Sequence, residues 1–293
     1  MDQADSSLKI YVRDRVVPAA QATVSVFDAG FQSGDAVWEG MRVYNGRVLK
    51  LDRHMRRLKE SAHALRITLP MDLDRIAAAV QETLDANGLT DDTHIRLMLS
   101  RGSRSTSGMD PRNAPPAGTL VIIAERKPVE VHPAPQRLRT ASIRRPHPQF
   151  VDANIHHSNQ LNSILARLEI LDDREIDATL MLDAFGYVAE ADTANIFCVT
   201  EGRVRTPFAT SCLHGITRGT VLELSADAGY PTTEEQLTLF DFYNADEVFV
   251  TGTVCELVPV SEIDGRRIGS GQPGPVWNDL LDRYRGQVKE LTS

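Results

Sequence analysis

Tight hairpin turns that alternate with amphipathic helices are the feature that most restricts how this chain folds. Three dipeptides typical of two-residue hairpin turns lie between apolar stretches, at Asn45-Gly46, Glu201-Gly202 and Asp264-Gly265. Such dipeptides adopt the left-handed backbone that a tight turn between antiparallel strands requires. Helical spacing of apolar residues predicts helices at 51–65, 72–87, 160–171 and 217–229. The alternation predicts an α/β or α+β fold and not a doubly wound dinucleotide fold.

A proline-rich stretch divides the chain. Residues 127–137 contain Pro128, Pro133 and Pro135, a density typical of a linker and unsuited to a helix or a strand. We therefore predict an α+β domain over 1–127, a linker over 128–137 and a second domain over 138–293. Apolar patterns predict further strands at 9–12, 22–27, 94–100, 119–124, 178–182, 196–199, 204–206, 247–251 and 259–268.

Composition excludes several classes of function. The 32 Lys and Arg residues against 40 Asp and Glu give a net charge of −8, which disfavours a nucleic-acid partner. No apolar run approaches the length of a membrane span, so we expect no membrane association. The three cysteines are odd in number, widely spaced and form no CxxC pair, so neither a disulfide framework nor a metal site is expected. The first residues lack the features of a secretory signal, which predicts a cytoplasmic location.

One segment has the pattern of a phosphate site. Gly215 precedes a predicted helix, so the backbone amides of Ile216 and Thr217 would point outward from a positive helix terminus. A plain helix cap by Thr217 explains the same residues, and the segment alone favours that simpler interpretation. The end of a predicted buried strand, 250–253, offers further hydroxyl donors and is equally unspecific by itself.

Taken together, six segments resemble one enzyme family. They are Gly34–Gly40, His54–Leu58, Gly186–Glu190, Asn195–Phe197, Gly215–Arg218 and Thr251–Thr253. In this order they are similar to the class IV aminotransferases, the pyridoxal-phosphate enzymes of fold type IV. That family includes branched-chain and D-amino-acid aminotransferases and aminodeoxychorismate lyases. The resemblance implies a C-terminal pseudo-barrel domain, a homodimer, a pyridoxal or pyridoxamine phosphate cofactor, and an amino acid or amine and a keto acid as substrates.

The resemblance also implies roles for individual residues. Glu190 would sit beside the pyridine nitrogen, where a carboxylate keeps that nitrogen protonated and makes the ring an electron sink. Arg57 would pair with the phosphate, and Leu213 would pack on the ring. The phosphate site would be completed by Gly215, Ile216, Thr217, Gly252 and Thr253. Substrate would meet Trp38, Met41, Arg96, Thr253 and Val254, although packing explains Trp38, Met41 and Arg96 equally well.

One departure from the family pattern concerns its Schiff-base lysine. The family reads Asp-Pro-Arg-Ile-Lys before Asn-Tyr-Leu-Asn, whereas this chain has Ile155-His156 before Asn159-Gln160-Leu161-Asn162. His156 therefore takes the lysine position and is a candidate general base, because its ordinary pKa of about 6.5 suits that task. Histidine cannot attach the cofactor covalently, so we expect noncovalent binding. Three alternatives stay open: a lyase or other reaction with His156 as base, a cofactor-binding pseudoenzyme, and an introduced substitution.

Overall fold

The computed structural model describes residues 7–293, which form two compact units. The first unit extends to Pro128 and also contains Ile155–Asn159 and Leu291–Ser293. The second unit comprises Val129–Asn154 and Gln160–Glu290. The second unit differs from the predicted domain over 138–293 at two places, because Ile155–Asn159 and the last three residues belong to the first unit. The irregular segment with the three prolines ends before residue 137, the predicted end of the linker, because a strand begins at Gln136.

The first unit is built on a six-stranded antiparallel sheet. Its strands are β1 (Lys9–Val12), β2 (Arg15–Pro18), β3 (Ala36–Tyr44), β4 (Arg47–Val48), β5 (Thr93–Ser100) and β6 (Thr119–Arg126), in the order β2-β1-β6-β5-β3-β4. Its helices are α1 (Ala29–Ser33), α2 (Leu51–Ala64) and α3 (Leu73–Asn87). Asn45 and Gly46 join β3 to β4 with φ of 48° and 78°, which confirms the predicted hairpin.

The core of this unit lies between the sheet and the two longer helices. Side chains alternate between the two faces of a strand, and the odd-numbered positions of β3 place Val37, Met41 and Val43 in the core. Leu58 of α2 and Ile76 of α3 pack into the same core. Glu39 belongs to this inward row by its number, so the strand brings a carboxylate into an otherwise apolar face.

The strand predicted at 22–27 does not form. This segment is an irregular loop in which Val26 and Phe27 are exposed. Ser25 starts a turn instead, because its carbonyl accepts from the amide of Asp28 at 2.9 Å and its hydroxyl from the amide of Phe27 at 3.1 Å. Asp28 then caps α1 by accepting from the amide of Gly30.

The second unit contains nine strands in one mixed sheet. They are β7 (Gln136–Arg144), β8 (Ala178–Leu182), β9 (Val188–Ala191), β10 (Asn195–Thr200), β11 (Arg203–Pro207), β12 (Thr232–Glu235), β13 (Glu247–Gly252), β14 (Glu256–Ile263) and β15 (Arg266–Arg267). The order is β12-β11-β10-β13-β14-β7-β8-β9, with β15 on β14. The remaining α-helices among residues 7–293 are α4 (Leu161–Leu168), α5 (Ile216–Asp227), α6 (Leu239–Tyr243) and α7 (Pro275–Thr292). The hairpins predicted at Glu201-Gly202 and Asp264-Gly265 both form.

The sheet of the second unit curls so that β9, at one end of the hydrogen-bonded order, lies beside β10. A tight turn makes this approach, with the amide of Ala191 donating to the carbonyl of Ala194 at 2.8 Å. The curl encloses an apolar core that includes Leu180, Ile196 and Val250. It also brings the end of β9 next to the start of β10, where Glu190 and Asn195 lie. The structure is thus a two-unit α/β fold with a curled sheet in the second unit, as expected of fold type IV.

Among residues 7–293, none of the helices has the combination of length and hydropathy that a membrane span requires.

Candidate active site

Glu190 is a buried carboxylate in the second unit, and three donors hold it. Arg145 Nη2 lies 2.8 Å from Glu190 Oε1. Asn195 Nδ2 and the backbone amide of Leu213 donate to Glu190 Oε2 at 3.2 and 3.3 Å. Burial raises the pKa of Glu190, and the neighbouring Arg145 cation opposes that rise. The predicted cofactor residues Glu190 and Leu213 are therefore in direct contact.

Asn195 links this carboxylate to the start of α5. Its Nδ2 also donates to the carbonyl of Leu213 at 2.9 Å. A Cβ added at Gly215 would lie only 2.0 Å from Asn195 Oδ1. Glycine is therefore required at 215 for close approach to Asn195, since the backbone angle φ of −63° would itself suit other residues.

Helix α5 begins with donors available for a ligand. Its N-cap is Gly215, which has no side chain to cap the first turn. The simpler interpretation of this segment, a cap by Thr217, is therefore wrong, because Thr217 already lies inside the helix. Nearby, Asn195 pairs across the sheet with Thr251, whose buried Oγ1 has no hydrogen-bond partner within residues 7–293. A helix N-terminus and an unsatisfied hydroxyl are typical of an anion site.

The remaining predicted residues of the second unit lie in the turn after β13. Gly252 ends that strand, Thr253 is half-buried in the turn, and the Val254 side chain is exposed. A Cβ added at Gly252 would meet Ala194 at 3.9 Å, which places this turn beside the β9–β10 turn. The structure thus brings together the predicted residues 190, 213, 215–217, 252 and 253.

A second buried carboxylate, Glu39, organises the candidate residues of the first unit. Arg57 donates from Nε to Glu39 Oε1 at 2.8 Å and from Nη2 to Oε2 at 2.7 Å. His54 Nδ1 lies 2.6 Å from Oε2, and His156 Nδ1 lies 3.4 Å from Oε1. Burial raises the pKa of Glu39, but the bonds from Arg57, His156 and His54 outweigh it and hold that pKa well below its usual range.

His156 is fixed by its backbone as well as by Glu39. Its carbonyl accepts from the amide of Trp38 at 2.9 Å, and its amide donates to Ser61 Oγ at 3.0 Å. The rings of His156 and Trp38 lie 4.1 Å apart between centroids. Burial lowers the pKa of His156 to about 4, so its imidazole is neutral at pH 7.

The three predicted substrate residues of the first unit separate into two environments. Arg96 stacks on Trp38, with its guanidinium carbon 3.8 Å from the ring centroid, and the same Trp38 ring contacts the His156 ring. Met41 instead lies on the opposite face of the strand and is fully buried in the apolar core. Its placement favours a packing role over the predicted substrate contact.

Four residues of these clusters were not predicted from the sequence as site residues. Glu39 and His54 lie inside the segments that resemble the family. Neither residue type by itself shows whether its side chain is buried, so the sequence alone does not indicate that these two form a buried pair. Asn195 begins a matched segment, and only its close approach to Gly215 reveals its role. Arg145 follows β7, a strand that was not predicted. A run of two arginines before Pro146 was the one available signal.

Comparison with known proteins identifies the family. The family model described as amino-transferase class IV matches residues 36–263. The chain belongs to the class IV aminotransferases. The match covers most of both units and includes Glu39, His156 and Glu190.

Individual class IV aminotransferases are similar in sequence over nearly the whole chain. Branched-chain-amino-acid aminotransferase-like protein 2 of Arabidopsis thaliana is 45% identical over 96% of this chain and 50% of its own length. The chain therefore spans about half the length of that relative. Branched-chain-amino-acid aminotransferase of Pseudomonas aeruginosa is 34% identical over 100% of this chain and 96% of its own length.

Solved structures of the family are similar over the same extent. The branched-chain aminotransferase of Thermoproteus uzoniensis, solved with norvaline, superposes with a TM-score of 0.87 at 33% identity, over 95% of this chain and 94% of that one. The branched-chain amino acid aminotransferase of Thermobaculum terrenum, solved in its PLP-form, superposes with a TM-score of 0.86 at 27% identity, over 97% of this chain and 94% of that one. Both units therefore have the fold of this family.

We predict that Gly215→Ala destabilises the second unit. The added Cβ would displace Asn195, and overpacking of this kind costs about 1–3 kcal/mol. Gly219→Ala is the matched control in the same helix, because a Cβ there meets nothing within 4 Å. This control should be more stable than the parent by about 0.5–1 kcal/mol, as alanine is the better helix former. Urea unfolding followed by tryptophan fluorescence measures both, and equal stability of the two variants would contradict the assigned contact.

Proposed function

We propose that this class IV aminotransferase binds pyridoxal or pyridoxamine 5'-phosphate noncovalently and transfers an amino group between an amino acid or amine and a keto acid. The observation that carries the proposal is the Glu190 carboxylate held by Arg145, Asn195 and the Leu213 amide. It lies beside the uncapped start of α5. A fixed carboxylate and a nearby anion site are what a phosphorylated pyridine requires.

The residues of the second unit fit this cofactor. The amides of Ile216 and Thr217 would hold the phosphate, together with the hydroxyls of Thr251 and Thr253. Thr251 Oγ1 is buried without a partner within the described residues, so a phosphate oxygen would satisfy a group that is otherwise costly to bury. Gly215 and Gly252 keep the backbone close to this point, and Leu213 would pack on the ring. When bound, the cofactor supplies an electron sink for a substrate that loses a proton from its α-carbon.

Arg57 stays a predicted phosphate ligand. In this structure its guanidinium forms a two-point contact with Glu39. The planar guanidinium has further N–H donors beyond those two, so both contacts are compatible with its chemistry.

His156 takes the place of the family's lysine in this proposal. The support is the order of residues Ile155, His156, Asn159, Leu161 and Asn162, which keeps the register of the family motif. As a neutral imidazole, His156 would accept a proton at Nε2 and pass it on. A general base contributes about 10²–10⁴-fold to a rate when its pKa lies near the working pH, and burial, which lowers the pKa of His156 to about 4, makes it a weaker base than that. It cannot attach the cofactor, and none of the other residues of the matched motif is a lysine.

The substrate proposal rests on Trp38 and Arg96. The Trp38 ring offers an apolar surface for an aliphatic side chain, and the Arg96 guanidinium stacked on it offers a charge for a carboxylate. Branched-chain aminotransferase relatives favour a branched-chain amino acid as one substrate. Thr253 and the exposed Val254 stay predicted contacts for the substrate carboxylate. Lyase chemistry with His156 as base and cofactor binding without turnover are the alternative outcomes, and a cytoplasmic location stays a prediction.

We also propose a homodimer, because α4 exposes an apolar stripe. Leu161, Ile164, Leu165 and Leu168 recur at helical spacing and are between 41% and 58% exposed. In a monomer such a stripe normally faces a core, so an exposed one is typical of an interface.

Restoring lysine with His156→Lys should attach pyridoxal phosphate covalently and raise keto-acid production from a branched-chain amino acid above the parent. The physical reason is that the flanking residues and Glu190 are retained, so only the covalent anchor is missing. His157→Lys is the matched control, since it places a lysine one residue away from the position that the family motif assigns. Absorption spectra and intact mass after addition of pyridoxal phosphate measure attachment. Equal attachment in both variants, or none at position 156, would contradict the placement of His156.

Sedimentation velocity should give twice the 32.4 kDa chain mass for the parent protein. Leu165→Glu should shift it to the monomer, because a charge in a buried apolar interface is strongly unfavourable. Phe240→Glu, which replaces an apolar side chain that is exposed elsewhere in the same unit, should stay dimeric. A monomeric parent would refute the dimer, and a dimeric Leu165→Glu would place its interface elsewhere.

A further inference from the structure

The surroundings of Glu39 saturate its carboxylate. A carboxylate offers about four lone-pair positions, two on each oxygen. Oε1 faces Arg57 Nε and His156 Nδ1, and Oε2 faces Arg57 Nη2 and His54 Nδ1. Four nitrogen atoms from three residues therefore occupy the four positions. Since Glu39 is fully buried, this arrangement compensates the loss of its hydration.

This arrangement determines which nitrogen of His156 carries the proton. An ionised carboxylate only accepts hydrogen bonds, so the atom facing Glu39 Oε1, His156 Nδ1, must donate. A neutral imidazole carries one proton, which leaves Nε2 of His156 as the basic atom. The alternative tautomer would set the Nδ1 lone pair against a negatively charged oxygen.

Two further contacts keep the imidazole in this orientation. The backbone of His156 is bonded on both sides, to the amide of Trp38 and to Ser61 Oγ. The Trp38 ring lies against the imidazole with 36° between the planes. Movement of the ring away from Glu39 would therefore disturb packing as well as a hydrogen bond.

We propose that Glu39 is a positioning residue that holds His156 as the Nδ1–H tautomer, so that Nε2 is the atom that accepts the substrate proton. The assignment of the proton transfer rests on the proposed function, whereas the assignment of the tautomer does not. In the step itself, the substrate α-C–H bond breaks, its proton forms a bond to His156 Nε2, and its electron pair stays on the substrate. His156 Nε2 would then release this proton to the cofactor carbon that receives the amino group, so the imidazole is regenerated and no oxidant or reductant is required. His54 and Arg57, which share the carboxylate, hold Glu39 in place for this task.

Nitrogen NMR of the protein labelled with ¹⁵N-histidine tests the tautomer directly. Spectra are recorded at pH 7.5 with and without added pyridoxamine phosphate, and His156→Asn assigns the signals of residue 156 among the eight histidines. We expect a protonated Nδ1 and a bare Nε2 in both samples. A protonated Nε2, in either the other tautomer or the doubly protonated ring, would overturn the proposal. This readout needs no turnover, so it distinguishes failure of the inference from failure of the proposed aminotransferase.

The Glu39→Gln variant tests the positioning role. The amide keeps the shape but offers one acceptor oxygen, so the His156 signals should show a mixture of tautomers. If the protein transaminates, kcat should fall about 10²-fold while KM for the amino donor changes little, because orientation of the base is lost and binding is not. Glu60→Gln, at an exposed carboxylate of the same helix as Arg57, should match the parent. An unchanged tautomer in Glu39→Gln would overturn the proposal, and if that variant does not fold, the parent's tautomer still decides it.

Discussion

Burial of a carboxylate requires donors that replace its hydration, and this requirement organises both units of the protein. Glu39 lies in the inward row of β3, where apolar residues surround it, and its charge is stabilised by Arg57 and two histidines. Glu190 lies at the end of β9 and is stabilised by Arg145, Asn195 and a backbone amide. Neither arrangement contributes much to the apolar core. Each instead fixes the orientation of groups that the proposed reaction uses.

The two carboxylates perform different tasks because their partners differ. The donors around Glu190 leave its charge close to the start of α5, where a cofactor with a pyridine nitrogen and a phosphate is proposed to bind. The donors around Glu39 include the imidazole of His156, which is the proposed base, so this carboxylate orients that imidazole. Lysine has a single side-chain nitrogen and no tautomers, so a lysine at position 156 would not need such an acceptor. In our proposal, the Glu39–His156 contact is the physical reason why a histidine acts as base where the family motif has lysine.

Signals within short stretches of the sequence predicted much of the fold. The elements that were not predicted depend on contacts between residues that are distant in the sequence. Asn45-Gly46 folds as expected because two residues alone determine a tight turn. The segment 22–27 has an apolar pattern but no strand pairs with it, so it stays a loop. Strand β7 was not predicted, since its alternation is interrupted by arginines and it is stabilised by pairing with β14 and β8. Similarly, the motif predicted Glu190 as a site residue. Arg145 is recognised as its partner only from the structure, where the end of β7 brings Arg145 next to Glu190.

Borohydride reduction tests most directly whether this chain holds pyridoxal phosphate without a covalent bond, as we propose. The protein is saturated with pyridoxal phosphate, treated with borohydride and denatured, and the intact mass of the chain is then measured. We expect saturable binding by absorbance and an unmodified chain of 32.4 kDa after reduction. A phosphopyridoxyl group retained on any of the five lysines of the sequence would contradict noncovalent binding.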